Sequence, residues 1–311
     1  MNIERHGHGA IAVPSCWKLR GSWFRETRGW SLCMRSAQSD KTIDDLLRLA
    51  VDVAHEAGAL LRSYAGRTDL DVGTKSTATD PVSAADHASE RLISDRIRAA
   101  RPGDGLVGEE RSDDREGTSG LQWVVDPLVG TVNYLYGIPQ WCVSVAVTDD
   151  RGPLAGVVYD PSRDETFAAC RGRGSTLDGS ALHVTPPERV AGALIATGFS
   201  YDAAARRDQI AMVSTLIGEV RDVRRFGSAA LDLCWIAAGR WDGYAEFGLH
   251  RWDWSAGSLV VLEAGGVVAR WNHELGGKSL QGLSAGSAMV HDHLSNWLRR
   301  HGARPLPWSA D

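Results

Sequence analysis

Apolar residues recur at helical spacing from Ile43 to Leu61 (Ile43, Leu46, Leu47, Ala50, Val53, Ala54, Ala57, Leu60, Leu61), which predicts an amphipathic helix starting near Thr42. Thr42 with Asp45 three residues on forms an N-cap pattern, and Gly66 closes the run. A polar loop over 71–86 comes next, too dense in Lys, Thr, Ser and Asp to be core. Ser83 is placed to cap a second helix carrying Ala85, Ala88, Leu92, Ile93 and Ile97, stopped by Pro102-Gly103. A short strand, Leu106-Val107, then runs into Gly108-Glu109-Glu110.

The most informative stretch is 123–148. The run Trp123-Val124-Val125 predicts a buried strand that delivers Asp126 to its C-terminal end, where Pro127 and Gly130 are expected to stop it. Ligands of α/β proteins gather at such strand ends, so a carboxylate fixed there is placed for chemistry. Thr131 adds a hydroxyl and an amide able to face an anion. Val143–Val147 reads as a second strand. Beyond it the chain turns β-rich, with strands predicted at Leu154–Tyr159, Thr166–Cys170, Ala181–Val184 and Leu194–Phe199. Helices are expected near 203–218, 228–238, 253–264 and 291–301, with strands near 222–226, 243–247 and 267–270. Alternating elements of this length predict a layered α/β architecture.

Length changes this picture little: 311 residues suffice for one large domain or two. No apolar run approaches the roughly 20 residues of a membrane helix. A formal net charge of −5 argues against nucleic acid as the main ligand. The five cysteines (Cys16, Cys33, Cys142, Cys170, Cys234) lack CxxC spacing, which fits reduced thiols in a cytoplasmic protein. Residues 1–34 hold Trp and Arg without helical or strand period, and read as a disordered extension or as translated sequence upstream of a start at Met34, a transit peptide being the less favoured alternative. The expected organisation is an extension over 1–40, one domain over 41–303 and a tail over 304–311.

Acidic residues mark the candidate chemistry: Asp80 in the polar loop, Glu109-Glu110 after a strand, Asp126, and Asp253 in Arg251-Trp-Asp-Trp-Ser-Ala-Gly257. Alone, Asp126-Pro127 is also an ordinary turn and Asp253 a helix-capping acid. Carboxylates from separate segments, however, supply the oxygen ligands that Mg²⁺ requires. No His/Cys cluster competes for a transition metal, and His250 is a lone histidine.

Taken together, 75–86, Gly108-Glu109-Glu110, 123–147, 224–233 and 252–266 resemble the inositol monophosphatase family of Mg²⁺-dependent sugar and polyol phosphatases, over about residues 42–300. The resemblance implies a single αβαβα layered domain, a homodimer, and hydrolysis of a small phosphate monoester such as inositol monophosphate, with histidinol phosphate an alternative. It implies neither a nucleic-acid nor a membrane partner. It assigns Glu109, Asp126 and the Leu128 carbonyl to a first Mg²⁺, and Asp126 with Asp253 to a second. Gly130 and Thr131 amides would cradle the phosphate, Thr131 and Asp80 would orient and deprotonate the attacking water, and Glu246, Gly227, Ser228 and Ala229 would face the polyol. Cations make sense there because they screen the ester's charge from a nucleophile and lower the pKa of water. Arg224-Arg225 would serve a substrate phosphate or an interface ion pair, the structural role being favoured.

One position departs from the family's Asp-Pro-(Ile/Leu)-Asp-Gly-Thr pattern. Here Val129 stands where the second carboxylate is expected. A valine offers no oxygen, so the expectation is weakened binding of the second metal and impaired turnover. The competing reading is a non-catalytic family member that acts as a phosphate-ligand-binding or regulatory interaction module.

Overall fold

Helix α1 runs from Gly29 to Tyr64, so the amphipathic segment is recovered but begins earlier than its polar pattern suggests. Thr42 lies inside this helix and not at its N-terminus. The computed structural model describes residues 29–66, 72–75, 81–110 and 114–308, without the side chains of 29–41 and 81. Asp80 and most of the expected N-terminal extension lie outside these residues. The chain divides into two compact units, residues 1–40 and 41–311, and the second carries both large sheets.

After α1 come the short strands β1 (Gly73–Thr74) and β2 (Pro81–Val82), helix α2 (Ala84–Ala100), β3 (Gly105–Gly108), β4 (Gln122–Val129) and the five-residue helix α3 (Thr131–Leu135). Strands β5 (Cys142–Asp149), β6 (Gly152–Asp160), β7 (Glu165–Cys170), β8 (Ser175–Leu177) and β9 (Ser180–Ala181) complete a seven-stranded sheet in the order β3-β4-β5-β6-β7-β8-β9. A 3₁₀ turn at Val190–Gly192 leads to β10 (Leu194–Thr197), α4 (Ala203–Leu216), β11 (Asp222–Arg224), α5 (Ala229–Ala237), β12 (Gly243–Phe247) and α6 (Arg251–Glu263). The chain continues through β13 (Val267–Leu275), β14 (Lys278–Gly286), α7 (Ala288–Arg300) and β15 (Arg304–Leu306). The strands among these form a second, six-stranded sheet ordered β11-β10-β12-β14-β13-β15.

Three buried clusters give the layers. The first joins Val125, Val143, Val145 and Val157 of the seven-stranded sheet to Leu46, Val53 and Leu61 of α1 and Ile93 and Ile97 of α2. The second lies on the opposite face, where Val124, Ala146 and Val158 meet α5 and α6 (Leu233, Ile236, Leu259, Val260), which also pack on Ala196, Tyr244 and Leu283 of the six-stranded sheet. The third covers that sheet's far face with α4 and α7 (Met212, Leu216, Leu294, Trp297). The result is an αβαβα stack. Strand β5 shows how sequence builds it: Val143, Val145 and Val147 serve one core while Cys142 and Ala146 serve the other, so both faces of a central strand are apolar.

Some expectations shift. Ala181–Val184 supplies only the end of the two-residue β9; past it the Leu182 amide still donates to Ser175 O of β8, and the Val184 amide turns to Ala264 O. The expected tail contributes β15, which pairs antiparallel with β13 through Arg270 and Leu306. No helix among the described residues is long and apolar enough to cross a membrane. Cys142, Cys170 and Cys234 are buried and free.

Candidate active site

Pro127 does not end its strand. β4 pairs Asp126 with Ser144 of β5, then shifts register so that the next pair is Val129 with Cys142. Pro127 and Leu128 form the irregularity between them, where a residue without an N–H is tolerated. The carbonyls freed there are used: Ser89 Oγ donates to Pro127 O (3.0 Å) and Thr131 Oγ1 to Leu128 O (3.2 Å). The Leu128 amide donates to Asp126 Oδ1 at 3.0 Å, fixing that carboxylate, which is 2 % exposed.

Glu109 follows the adjacent parallel strand β3, and its amide donates to Val125 O at 3.1 Å. The Lys75 ammonium bridges Glu109 Oε1 (2.9 Å) and Glu110 Oε1 (2.5 Å). Asp253 arrives from the third position of α6, where its Oδ2 accepts from the His250 amide at 2.6 Å. Its capping role and its place in the cleft therefore coexist.

Electrostatics tie these groups together. Burial first, then the Glu109 and Asp253 charges, hold Asp126 well above the ordinary carboxylate range. Burial and Glu109 do the same to Asp253. Burial also raises Glu109, with Asp86 adding to the effect and Lys75 opposing it. Glu110 is pushed up to about 7, again chiefly by burial. Burial works against the Lys75 charge, but Glu109 and Glu110 outweigh it and hold the ammonium above its usual value. Four carboxylates thus share one ammonium. Among the described residues no three His, Cys, Asp or Glu side chains already close on a common point. The donor chemistry nonetheless fits a hard divalent cation: the ligand atoms on offer are all oxygens, those of Asp126 buried and those of Glu109 and Asp253 half-buried, and their charge exceeds that of the one ammonium.

Val129 stands in the same wall, 4 % exposed, and belongs to the apolar cluster containing Cys142 and Ala229. Only its backbone is polar there; Val129 O accepts from Ser228 Oγ at 3.1 Å.

Gly130 follows with φ 102°, in the left-handed region, and a Cβ there would come within 2.9 Å of Gln140 O and 3.2 Å of Gly227 O. Glycine is required on both counts. It turns the chain so that Thr131 Oγ1 meets Asp86 Oδ1 at 3.0 Å. Asp86 is fully buried, and its other oxygen accepts from Ser83 N (2.9 Å) and Ser83 Oγ (2.6 Å). The acid held against Thr131 is therefore Asp86; Asp80, the residue expected beside it, lies outside the described residues. The Ser83-x-x-Asp86 capping spacing is the signal in the sequence that points to it, since such a box predicts a fixed, buried carboxylate.

The distal wall comes from the six-stranded sheet and α5. Glu246 of β12 accepts from Tyr244 OH at 2.7 Å, and burial raises it above the ordinary range. Lys75, Glu109, Asp126, Leu128, Gly130, Thr131, Gly227, Ala229, Glu246 and Asp253 line one cleft of about 930 Å³. Ser228, 1 % exposed, sits behind its surface and braces Val129. Arg224 pairs with Asp222 at 2.6 Å, whereas Arg225 lines the cleft.

Comparison with known proteins gives consistent results. The profile described as the inositol monophosphatase family matches residues 42–300. An inositol-1-monophosphatase of Mycobacterium bovis is 38 % identical over 279 residues, covering 84 % of this chain and 96 % of the relative. A protein named Nus factor SuhB from Pasteurella multocida is 41 % identical over 232 residues, covering 74 % of this chain and 86 % of the relative. Among solved structures, the extragenic suppressor protein suhB of Bartonella henselae superposes with a TM-score of 0.74 at 35 % identity, over 82 % of this chain and 99 % of that one.

Proposed function

The chain belongs to the inositol monophosphatase family, and on that premise we propose that it hydrolyses a small phosphate monoester, inositol monophosphate or a related polyol or sugar phosphate, with Mg²⁺ as cofactor. The observation that carries this reading is the excess of carboxylate over ammonium at one end of a cleft whose adjoining wall holds Thr131 against Asp86. Glu109, Asp126 and the Leu128 carbonyl would hold one cation, and Asp126 with Asp253 a second. Bound there, Mg²⁺ would screen the ester's charge and lower the pKa of the attacking water.

The protein's own groups supply the rest. Asp86, tied by Ser83, orients the Thr131 hydroxyl, and the pair would position a water and accept its proton. Amides at Gly130 and Thr131 would face the phosphate, while Glu246 would accept a hydrogen bond from a polyol hydroxyl. The Tyr244 hydroxyl donates to Glu246 and holds its carboxylate in place. With Val129 in the wall, the second cation would have one charged ligand fewer, and turnover would be reduced. We propose a homodimer as the working assembly.

Val129 also favours a second reading, a ligand-binding or regulatory module on the same fold; the name Nus factor carried by a relative is consistent with it. Mg²⁺-dependent phosphate release from inositol 1-phosphate, histidinol phosphate and fructose 1,6-bisphosphate, by this chain and by Val129→Asp, separates the two. Phosphatase chemistry predicts release that rises on restoring Asp. No release from either protein supports the second reading.

A further inference from the structure

Helix α4 turns Ala205, Gln209, Met212 and Leu216 inward, and Gln209 is the polar member of that stripe, 4 % exposed. A buried amide is tolerated when its donor and its acceptor are both used. Here they are. Gln209 Oε1 accepts from the Ser200 amide at 2.8 Å, and Nε2 donates to Phe247 O at 2.9 Å. Those two main-chain groups belong to different segments of the cleft wall. Ser200 lies in the connection from β10 to α4, where Phe199, Ser200, Tyr201 and Asp202 face the cleft. Phe247 follows Glu246 at the end of β12.

A side chain is needed there because β10 and β12 part. They pair in parallel only as far as Thr197 with Ala245. Just beyond, the Glu246 carboxylate lies across Gly198 so closely that a Cβ at that glycine would collide with it. Carbonyls two residues apart leave the same edge of a strand, so Ala245 O and Phe247 O both face the departing β10. Side chains replace the missing ladder: Thr197 Oγ1 donates to Ala245 O at 2.7 Å, and Gln209 serves Phe247 O. A primary amide carries the same kinds of donor and acceptor as a peptide unit. Gln209 therefore stands in for a peptide group between Phe247 and Ser200 and holds the strand ends at a fixed gap. The C-terminal ends of parallel strands, where neighbours diverge, are where α/β sheets bind ligands. Gln209 lines a separate cavity of about 10 Å³ with Gly198 and Glu246, so Glu246 stands between that cavity and the cleft.

We propose that Gln209 is a positioning residue for recognition of the substrate's hydroxyl groups. By tying Phe247 to Ser200 it sets where the Glu246 carboxylate stands, and with it the preference of the cleft for a polyol phosphate over phosphate alone. The proposal rests on the phosphatase reading above, in which Glu246 faces the polyol, and adds a residue outside the cleft that determines specificity.

The test is equilibrium binding to the full chain with Mg²⁺ present, by calorimetry, with inositol 1-phosphate and with inorganic phosphate, while released phosphate is monitored. The parent chain is expected to bind inositol 1-phosphate more tightly than phosphate. Gln209→Met, close in shape but without the amide, should weaken inositol 1-phosphate about tenfold and leave phosphate within about twofold. In a Glu246→Gln background the same substitution should change inositol 1-phosphate by less than about twofold, because its effect passes through Glu246. Should Gln209→Met not fold, Gln209→Asn replaces it with the same expected result, since its shorter side chain cannot reach both partners. Equal weakening of both ligands marks a packing role and overturns the proposal, as does an unchanged affinity for inositol 1-phosphate. A loss that persists in full in the Glu246→Gln background overturns it too. If the parent chain binds phosphate without preferring inositol 1-phosphate, this proposal falls and the phosphate site stands. If the parent chain binds neither ligand, the phosphatase reading falls first and takes this proposal with it.

Discussion

Replacing Val129 with Asp should make the stability of the protein depend on Mg²⁺ more steeply than it does now. Val129 is 4 % exposed within an apolar cluster, so the exchange forfeits most of the burial energy of a valine, about 2 kcal/mol. The new carboxyl joins Asp126 and Asp253, which burial and neighbouring acids already hold well above the usual range. It would be buried without a cation partner or would bind a proton, at a further cost of about 1–3 kcal/mol. Without divalent cation the variant should lose about 3–5 kcal/mol, a fall in Tm of roughly 6–15 °C. At about 100 times its Kd, Mg²⁺ returns about 2.7 kcal/mol. Thermal unfolding of parent and variant in EDTA and in excess Mg²⁺ reads both numbers. If the Mg²⁺-induced rise in Tm is no larger in the variant than in the parent, position 129 does not face the cation and the assignment fails.

Three further outcomes are expected. In the Val129→Asp background, Thr131→Val should lower kcat at least ~100-fold with the fold intact by circular dichroism, and a loss under about threefold would detach Thr131 and Asp86 from the water. Gly130→Ala should cost about 1–3 kcal/mol in urea unfolding and weaken Mg²⁺-dependent phosphate binding, because its Cβ meets two carbonyls; an unchanged midpoint would refute that. Burial disfavours the Asp104 charge, but hydrogen bonds from Arg101, Ser119 and the Trp123 indole outweigh it and hold its carboxyl below the ordinary value. Such a depressed group stabilises the fold above ~4, the unfolded value, and the gain fades as pH falls through the folded value. Asp104→Asn should therefore cost about 2 kcal/mol near neutral pH and progressively less in acid, and a pH-independent difference would contradict the charge argument.

The features legible in the chain and those hidden from it divide along physical lines. Strands with both faces buried, such as Trp123–Val125 and Val143–Val147, announce themselves by uninterrupted apolar residues, and the structure has strands at both places. The body of helix α1 is equally plain, but its start is not, since the Thr42/Asp45 cap pattern fits an interior turn just as well. Strand β14 escapes prediction because its outer half, Lys278 to Gln281, is polar but for Leu280 and its inner half is small but for Leu283, leaving little alternation to detect. Proline at 127 looks like a stop; only the register shift against β5 reveals a bulge that keeps the strand going. Asp253 and Glu246 are legible as candidates from the family likeness, and the structure brings them to one cleft with Glu109 and Asp126. The capping spacing after Ser83 marks Asp86 as a fixed acid, but one polar loop offers several acids and only the fold shows which one reaches Thr131. The Lys75 bridge is hidden in the same way, as nothing local connects residue 75 to 109 and 110.

The seven-stranded sheet has its strands side by side in the order in which they occur along the chain, so most of its ladders join neighbours linked by short turns. The six-stranded sheet is shuffled, and β12 reaches its parallel partner β10 only after α4, β11 and α5 have been laid down. Local ladders close quickly while distant ones wait for loop closure. During synthesis from the N-terminus, Glu109, Asp126 and Thr131 would find their places early, and Glu246 and Asp253 would arrive late. Ligand capture would then report completion of the second half of the fold, and a bound polyol phosphate would act as a latch against its unravelling.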